Sequence, residues 1–229
     1  MLKVDNLDAH IEKTQILRKV SFELPQGAMA GLIGRNGAGK TTLMRSIMGL
    51  IRPTGGRIQI NGADVTAVPG HLRASMRVGY MPEDRRLVPE LTVEENVMIP
   101  AWANGISDAK PRLERIYQLM PEVKSFAERR ALQLSGGQQK LVAFARALMT
   151  GDNLILLDEP FEGIAPALSR RLAEVLQDLK GKGASVLLSE SDYTHSADLV
   201  DKLFVIERGV LVEKELERRT QSPAMSDAT

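Results

Sequence analysis

No cysteine occurs among the 229 residues. That excludes disulfides and thiolate metal sites and agrees with a cytosolic home. Histidine is scarce as well: His10, His71 and His195 are scattered with no ligand spacing, so a catalytic metal–histidine site is not expected. No run approaches the roughly 18 apolar residues of a spanning helix. Any membrane role must therefore come through a partner protein. The opening Met1-Leu2-Lys3-Val4-Asp5 is too polar for a signal peptide. An excess of one charge sign is also missing, with 30 basic against 29 acidic side chains and a net charge of +1. Electrostatics thus gives no case for nucleic acid as a partner.

What is present is an ordinary globular balance, 43% hydrophobic and 26% charged, in a length that suits one α/β domain or one domain with an inserted lobe. Strand and helix signals alternate. Val20 to Leu24 has strand periodicity, Ala28 to Ile33 is a short apolar run ending at glycine, and Gly39 to Leu50 reads as a helix. Arg57 to Ile60 and Arg77 to Met81 read as short strands around a turn at Asn61-Gly62. From Thr92 to Leu148 the patterning is helical only: Val93 to Met98, then Leu113 to Met120, with Pro111 suited to a first turn, then a helix opening near Gly136. Alternation then resumes with a strand at Leu154 to Leu157, a helix at Leu168 to Leu179 ended by Gly181-Lys182-Gly183, and strands at Ser185 to Leu188 and Leu203 to Ile206. The expectation is a parallel α/β core interrupted by a helical lobe. The core occupies 1–217 with the lobe at about 84–134, and the polar, patternless 218–229 is expected to be a disordered tail.

Gly34-Arg35-Asn36-Gly37-Ala38-Gly39-Lys40-Thr41-Thr42 has the form G-x-x-x-x-G-K-T. It follows an apolar strand and opens a helix, the context that supports a phosphate-binding loop. Glycines let backbone N–H groups turn inward against phosphate oxygens. The helix N-terminus adds partial positive charge. In such a loop Lys40 reaches the β- and γ-phosphates of ATP and the Thr41 hydroxyl ligates Mg²⁺. By composition alone, the four fixed positions would arise in roughly one chain in a hundred.

Leu154-Ile155-Leu156-Leu157-Asp158-Glu159-Pro160 is an apolar strand ending in two acids. In an open parallel sheet, ligands sit beyond the carboxyl ends of the strands. Asp158 is therefore expected in the Mg²⁺ shell, and Glu159, one residue further out, to polarise an attacking water. Leu134-Ser135-Gly136-Gly137-Gln138-Gln139 precedes the amphipathic Leu141 to Leu148. Ser135 is a good N-cap there, and the N–H groups after it are free to bind an anion.

Taken together, these stretches resemble the ATP-binding-cassette ATPases over about Met1 to Glu213. Gly34 to Thr42 matches the family's Walker A loop, Leu154 to Glu159 its Walker B strand, and Leu134 to Gln138 its signature motif. The resemblance implies a P-loop NTPase fold with an antiparallel β edge near the N-terminus, and MgATP hydrolysis with Lys40 and Glu159 as catalytic residues. It implies two subunits paired head to tail, the Ser135-Gly136-Gly137-Gln138 turn of one closing over the ATP held by the other. Further partners follow from it: integral-membrane permease subunits docked on the helical lobe, and a place on the cytoplasmic face of the inner membrane. Tyr80 to Arg86, Leu91 to Asn96 and Glu162 to Pro166 look like the branched-chain amino-acid importer ATPases, whose wider group also moves urea, amides and other amino acids. A periplasmic binding protein belongs to such complexes. A lipid or polysaccharide exporter ATPase shares every core motif and stays open as an alternative. So does a slowly hydrolysing nucleotide-gated clamp, while a soluble tandem cassette is disfavoured by the single set of motifs.

Four positions depart from the wider family. Glu83 stands where a glutamine is usual, Ala165 where an aspartate is, and Ser191 where the switch histidine would be. A serine hydroxyl can hydrogen-bond a γ-phosphate but carries no charge; His195 nearby reads as a surface residue. Ile11 falls where an aromatic usually stacks on adenine, with His10 as the neighbouring alternative. Phosphate binding should survive these departures, whereas the hydrolysis rate of this chain's own site is in question. The resembled importers use two different ATPase subunits, so a heterodimer with a second cassette ATPase is expected over a homodimer.

Overall fold

A computed structural model describes residues 1–152, 154–192 and 196–216. His195 and the tail 218–229 lie outside the described residues. Two sheets organise the chain. The first is antiparallel, in the order β2-β1-β4-β5, from β1 (Leu2–Ile11), β2 (Thr14–Leu24), β4 (Gly55–Ile60) and β5 (Ala63–Asp64). Its inward residues, Leu2, Val4, Leu7 and Ala9 on β1, sit opposite Leu24, Phe22, Val20 and Leu17 on β2. Strict alternation along β1 is broken by a register shift between Val4 and Leu7, where Asn6 takes φ 46°.

The second sheet has the order β10-β9-β3-β8-β7-β6. It contains β3 (Met29–Ile33), β6 (Val78–Met81), β7 (Leu154–Asp158), β8 (Ser185–Glu190), β9 (Lys202–Glu207) and β10 (Val210–Lys214). All neighbours are parallel except β10, which pairs antiparallel with β9. β7 and β8 are buried at every position, as strands covered on both faces must be. Asn61 and Gly62, both at positive φ, join β4 to the two-residue β5. The expected pairing of Arg57 to Ile60 with Arg77 to Met81 around that turn is therefore corrected: β6 belongs to the other sheet. Between them lies α2 (Gly70–Ser75), a short helix without a side-chain cap that the sequence pattern did not announce.

Helix α1 (Lys40–Ile47) packs between the two sheets, where Leu43, Met44 and Ile47 meet Leu7, Leu17, Leu32 and Leu156 in one apolar cluster. Its C-terminal end is held by Arg73, which is fully buried and donates to the carbonyls of Ser46, Ile47, Val68 and Thr66. These bonds satisfy orphan helix-end carbonyls. A second cluster lies under α6 (Gly136–Thr150) and α7 (Pro166–Gly181) and continues into α3 (Val93–Asn104), α4 (Ala109–Leu119) and α5 (Pro121–Ser125). α3 opens with a capping box, Thr92 with Glu95, and stops at Gly105 in the left-handed region. Arg112 fastens α4 to the end of α6 through Asp152, with both bonds at 2.6 Å.

Candidate nucleotide site

The parallel register decides what meets. Ile33 pairs with Glu190, and Asp158 pairs with Ser189. The carboxyl ends of β3, β8 and β7 therefore lie side by side, and the residues leaving them share one edge of the sheet. From β3 the chain enters 34–39 and then α1. Gly34 has no room for a side chain, since a Cβ there would come within 2.5 Å of the Ile206 carbonyl oxygen. Gly39 precedes the helix at φ 117° and caps it with no side chain. The α1 N-terminus, with its partial positive charge, thus faces the loop uncapped by any side chain. Arg35, Asn36 and Gly37 are exposed, Thr41 is half-buried, and Ala38, Gly39, Lys40 and Thr42 are buried.

Lys40 Nζ donates to the Gly34 carbonyl at 2.5 Å and lies 3.0 Å from Glu159 Oε1, with both side chains nearly inaccessible. Glu159 takes φ 51°, and its N–H points to the Ser189 hydroxyl and carbonyl. A non-glycine residue in the left-handed region stores strain that the surroundings must hold. Ser191 Oγ sits 3.2 Å from Asn36 Oδ1 and 3.3 Å from Glu159 Oε1, and can donate to either. Lys40, Glu159, Asn36 and Ser191 are therefore one connected group.

Asp158 is fully buried. Its Oδ1 accepts from Ser189 Oγ at 2.6 Å, while Oδ2 has no hydrogen-bond partner. Burial pushes its pKa up, against the hydroxyls of Ser189 and Thr41, which pull it down. An orphaned carboxylate oxygen beside a threonine hydroxyl is costly unless a cation completes it. The donor set is all oxygen, which suits Mg²⁺. Glu83 is exposed, and its carboxyl is pushed up by partial burial and then by the carboxylates of Asp158, Glu162 and Glu159. Glu190 is buried and accepts from Ser196 Oγ; burial first, then Asp192 and Glu159, raises it to about 7.

The turn before α6 stands apart from this group. Ser135 caps the helix through Gln138 N–H, and the Gln138 side chain returns to Ser135 N–H. Ser135 and Gly136 are exposed, and Gly137 and Gln138 are half-buried. Pattern reading passed over Lys140, a lysine buried one turn further on whose ammonium reaches the carbonyls of Glu159 and Glu162. No sequence signal separates it from a solvated lysine on an amphipathic helix. Ser189 was also missed, although it lies two positions before Ser191 on a strand buried at every position. His10 Nδ1 lies 2.9 Å from Thr54 Oγ1, while Ile11 next to it is 46% exposed.

A glycine-rich strand-to-helix loop at the carboxyl edge of a parallel sheet, with an antiparallel sheet on one flank and an inserted helical lobe, defines a P-loop ATPase of the cassette type. A sequence profile described as ABC transporter matches residues 17–162. The high-affinity branched-chain amino acid transport ATP-binding protein BraG of Pseudomonas aeruginosa is 34% identical, over 93% of this chain and 91% of that protein. The lipopolysaccharide export system ATP-binding protein LptB of Haemophilus influenzae is 30% identical, over 93% and 89%. The solved structure of an ATP-binding subunit of an ABC transporter superposes with TM-score 0.83 at 30% identity, covering 94% of this chain and 90% of that one. The chain belongs to the ABC transporter family, as an ATP-binding, ATP-hydrolysing subunit.

Proposed function

We propose that the chain powers an importer of branched-chain or other amino acids or amides, hydrolysing MgATP at a site completed by a second cassette subunit. The observation that carries the chemistry is the Lys40–Glu159 contact at 3.0 Å beside the orphaned Asp158 Oδ2. A triphosphate seated on 34–42 would take Lys40 from the Gly34 carbonyl and Glu159 onto its β- and γ-oxygens. Glu159, freed of that cation, would accept the proton of the attacking water. Ser191 would hydrogen-bond the γ-phosphate, without the charge a histidine would add. Thr41 and Asp158 would hold Mg²⁺, which supplies positive charge to the phosphate oxygens when bound. Ser135, Gly136, Gly137 and Gln138 would close over the ATP of the second subunit, and Glu83, on the segment entering the helical lobe, would report to permease subunits docked there. This puts the chain on the cytoplasmic face of the inner membrane, with a periplasmic binding protein on the other side.

The importer reading rests on Tyr80 to Arg86 and Glu162 to Pro166 together with the BraG relative. The LptB relative favours a lipopolysaccharide exporter as the second reading. Purifying the native complex separates the two. An importer brings a permease pair and turns over faster with a loaded amino-acid binding protein. An exporter brings no binding protein and answers to lipopolysaccharide instead. Ser191 further supports a heterodimer whose second cassette carries a histidine at its own switch position. In the assembled complex, removing that partner's catalytic glutamate should cost far more turnover than removing Glu159. Equal losses would mean equivalent sites.

A further inference from the structure

We propose that Lys140 is a positioning residue that ties the Ser135–Gln138 turn to Glu159, so that closure of this turn on a second subunit's nucleotide is felt at this chain's own hydrolytic carboxylate. The inference rests on the composite-site reading above and adds the part that links the two sites.

Lys140 is only 8% exposed. A lysine ammonium has three donors and no acceptor, and burying it without partners is costly. Here Nζ donates to the Glu159 carbonyl at 2.7 Å and to the Glu162 carbonyl. The two carbonyls bracket a tight turn, in which Glu162 N–H donates back to the Glu159 carbonyl at 3.3 Å. That turn begins at the strained Glu159 whose side chain meets Lys40. One ammonium therefore grips both ends of the segment that sets where the carboxylate points.

The other end of the link is the helix itself. Lys140 lies five residues after Ser135, about 7.5 Å along the axis at the helical rise, within the hydrogen-bonded start of α6. Contacts on both flanks keep this start from sliding alone. Arg85 Nη1 donates to the Gly136 carbonyl at 3.3 Å, and Arg146, further along α6, donates to the carbonyls of Arg85 and Arg86. On the opposite flank a Cβ on Gly137 would lie 2.8 Å from Leu168 of α7. A displacement of Ser135 is carried down α6 as a rigid body, and Lys140 passes it to Glu159.

The test uses the full chain in its purified complex. Lys140→Met keeps length and apolar bulk but removes the donors, and Lys140→Gln keeps N–H donors on a shorter side chain. MgATP affinity and ATP-dependent subunit association are measured in the Glu159→Gln background, and turnover against ATP concentration in complexes whose second cassette has lost its own catalytic glutamate, so that Glu159 alone is read. Lys140→Met should bind MgATP within about twofold of the parent and still associate, with kcat lowered on the order of 10- to 100-fold by misplacement of Glu159. Its Hill coefficient should fall to about 1, because the linkage between sites is cut, and Lys140→Gln should restore part of both. Lowered kcat with the parent's cooperativity would reduce Lys140 to a packing role and overturn the inference. Unchanged turnover, or a parent already without cooperativity, would overturn it too. If the chain with Lys140 intact fails to associate on ATP, the composite site itself is refuted, a distinct result. Should Lys140→Met fail to fold, Lys140→Gln carries the same comparison: intermediate cooperativity supports the link and parental cooperativity refutes it.

Discussion

Two helix N-termini in this chain carry glycine motifs, and they are built differently. The start of α1 is enclosed on its inner side, where Lys40 is buried against Glu159; the exposed Ser191 and Asn36 stand at its outer side, and no side chain caps the helix. The start of α6 is open, with Ser135 and Gly136 exposed. It is also capped, because the side chains of Ser135 and Gln138 each take the other's N–H. An uncapped helix end beside a cation and carboxylates can hold a phosphate within its own chain. A capped, exposed one can only add N–H groups to something brought to it. The difference teaches that one chain carries two unlike halves, one that holds nucleotide and one suited to close over it, and each prediction below strikes one side of that contrast.

The largest effect is expected at the enclosed end. Glu159→Gln keeps the shape but cannot take a proton, so hydrolysis at this chain's own site, read with the second cassette's catalytic glutamate removed, should fall roughly 10²–10⁴-fold while MgATP still binds. Steady-state hydrolysis beside equilibrium binding measures both; normal turnover would remove Glu159 from the chemistry. Lys40→Ala comes next. It deletes charge-assisted bonds to two phosphates and leaves Glu159 buried without its cation, so MgATP affinity should drop by at least about 10²-fold. Unaltered affinity would end the phosphate-loop reading.

Beneath that end, Glu190 gives a pH signature. Its carboxyl is raised to about 7 by burial, so the folded chain prefers it protonated. The stability from that preference is whole below the ordinary carboxylate range and is lost as pH climbs through 7, up to about 3 kcal/mol. Glu190→Gln should therefore flatten the fall in melting temperature between pH 5 and pH 8. Parallel curves for parent and variant would contradict this. At the outer rim, Ile11 offers an aliphatic surface and His10 is engaged with Thr54. ATP should be only weakly preferred over GTP, and Ile11→Tyr should tighten both on the order of tenfold, since stacking is worth ~1–3 kcal/mol. A strong parental preference for ATP, read by competition binding, would show that another group holds the base.

Much of the enclosed site was legible because its physics is local. A loop of fixed glycines and a strand ending in acids each announce themselves within ten residues. What stayed hidden depends on distant contacts or on broken periodicity. β1 is long, yet the shift at Asn6 interrupts its alternation. β10 is exposed or half-buried throughout and shows no apolar period. The hairpin at Asn61-Gly62 was paired with the wrong strand because its true partner, β5, is two residues long. Lys140 and Arg73 look like surface charges in sequence and become buried donors only when carbonyls from other segments fold over them.

The smallest effect is expected at the open end, and it separates the two halves most cleanly. Ser135→Ala removes the oxygen that accepts from Gln138 N–H, and such a cap is worth about 1 kcal/mol. In a chain of this length that lowers the melting temperature by roughly 2–4 °C. Ser135 touches none of Lys40, Glu159 or Ser191, so the chain's own MgATP affinity should match the parent's. The loss should appear only in the assembled complex, as slower turnover where Ser135 must close on the other subunit's nucleotide. Isothermal binding to the isolated chain and hydrolysis by the complex, run side by side, decide it. If affinity in the isolated chain falls in step with turnover, then Ser135 acts within its own chain, and the division into a nucleotide-holding half and a closing half is wrong.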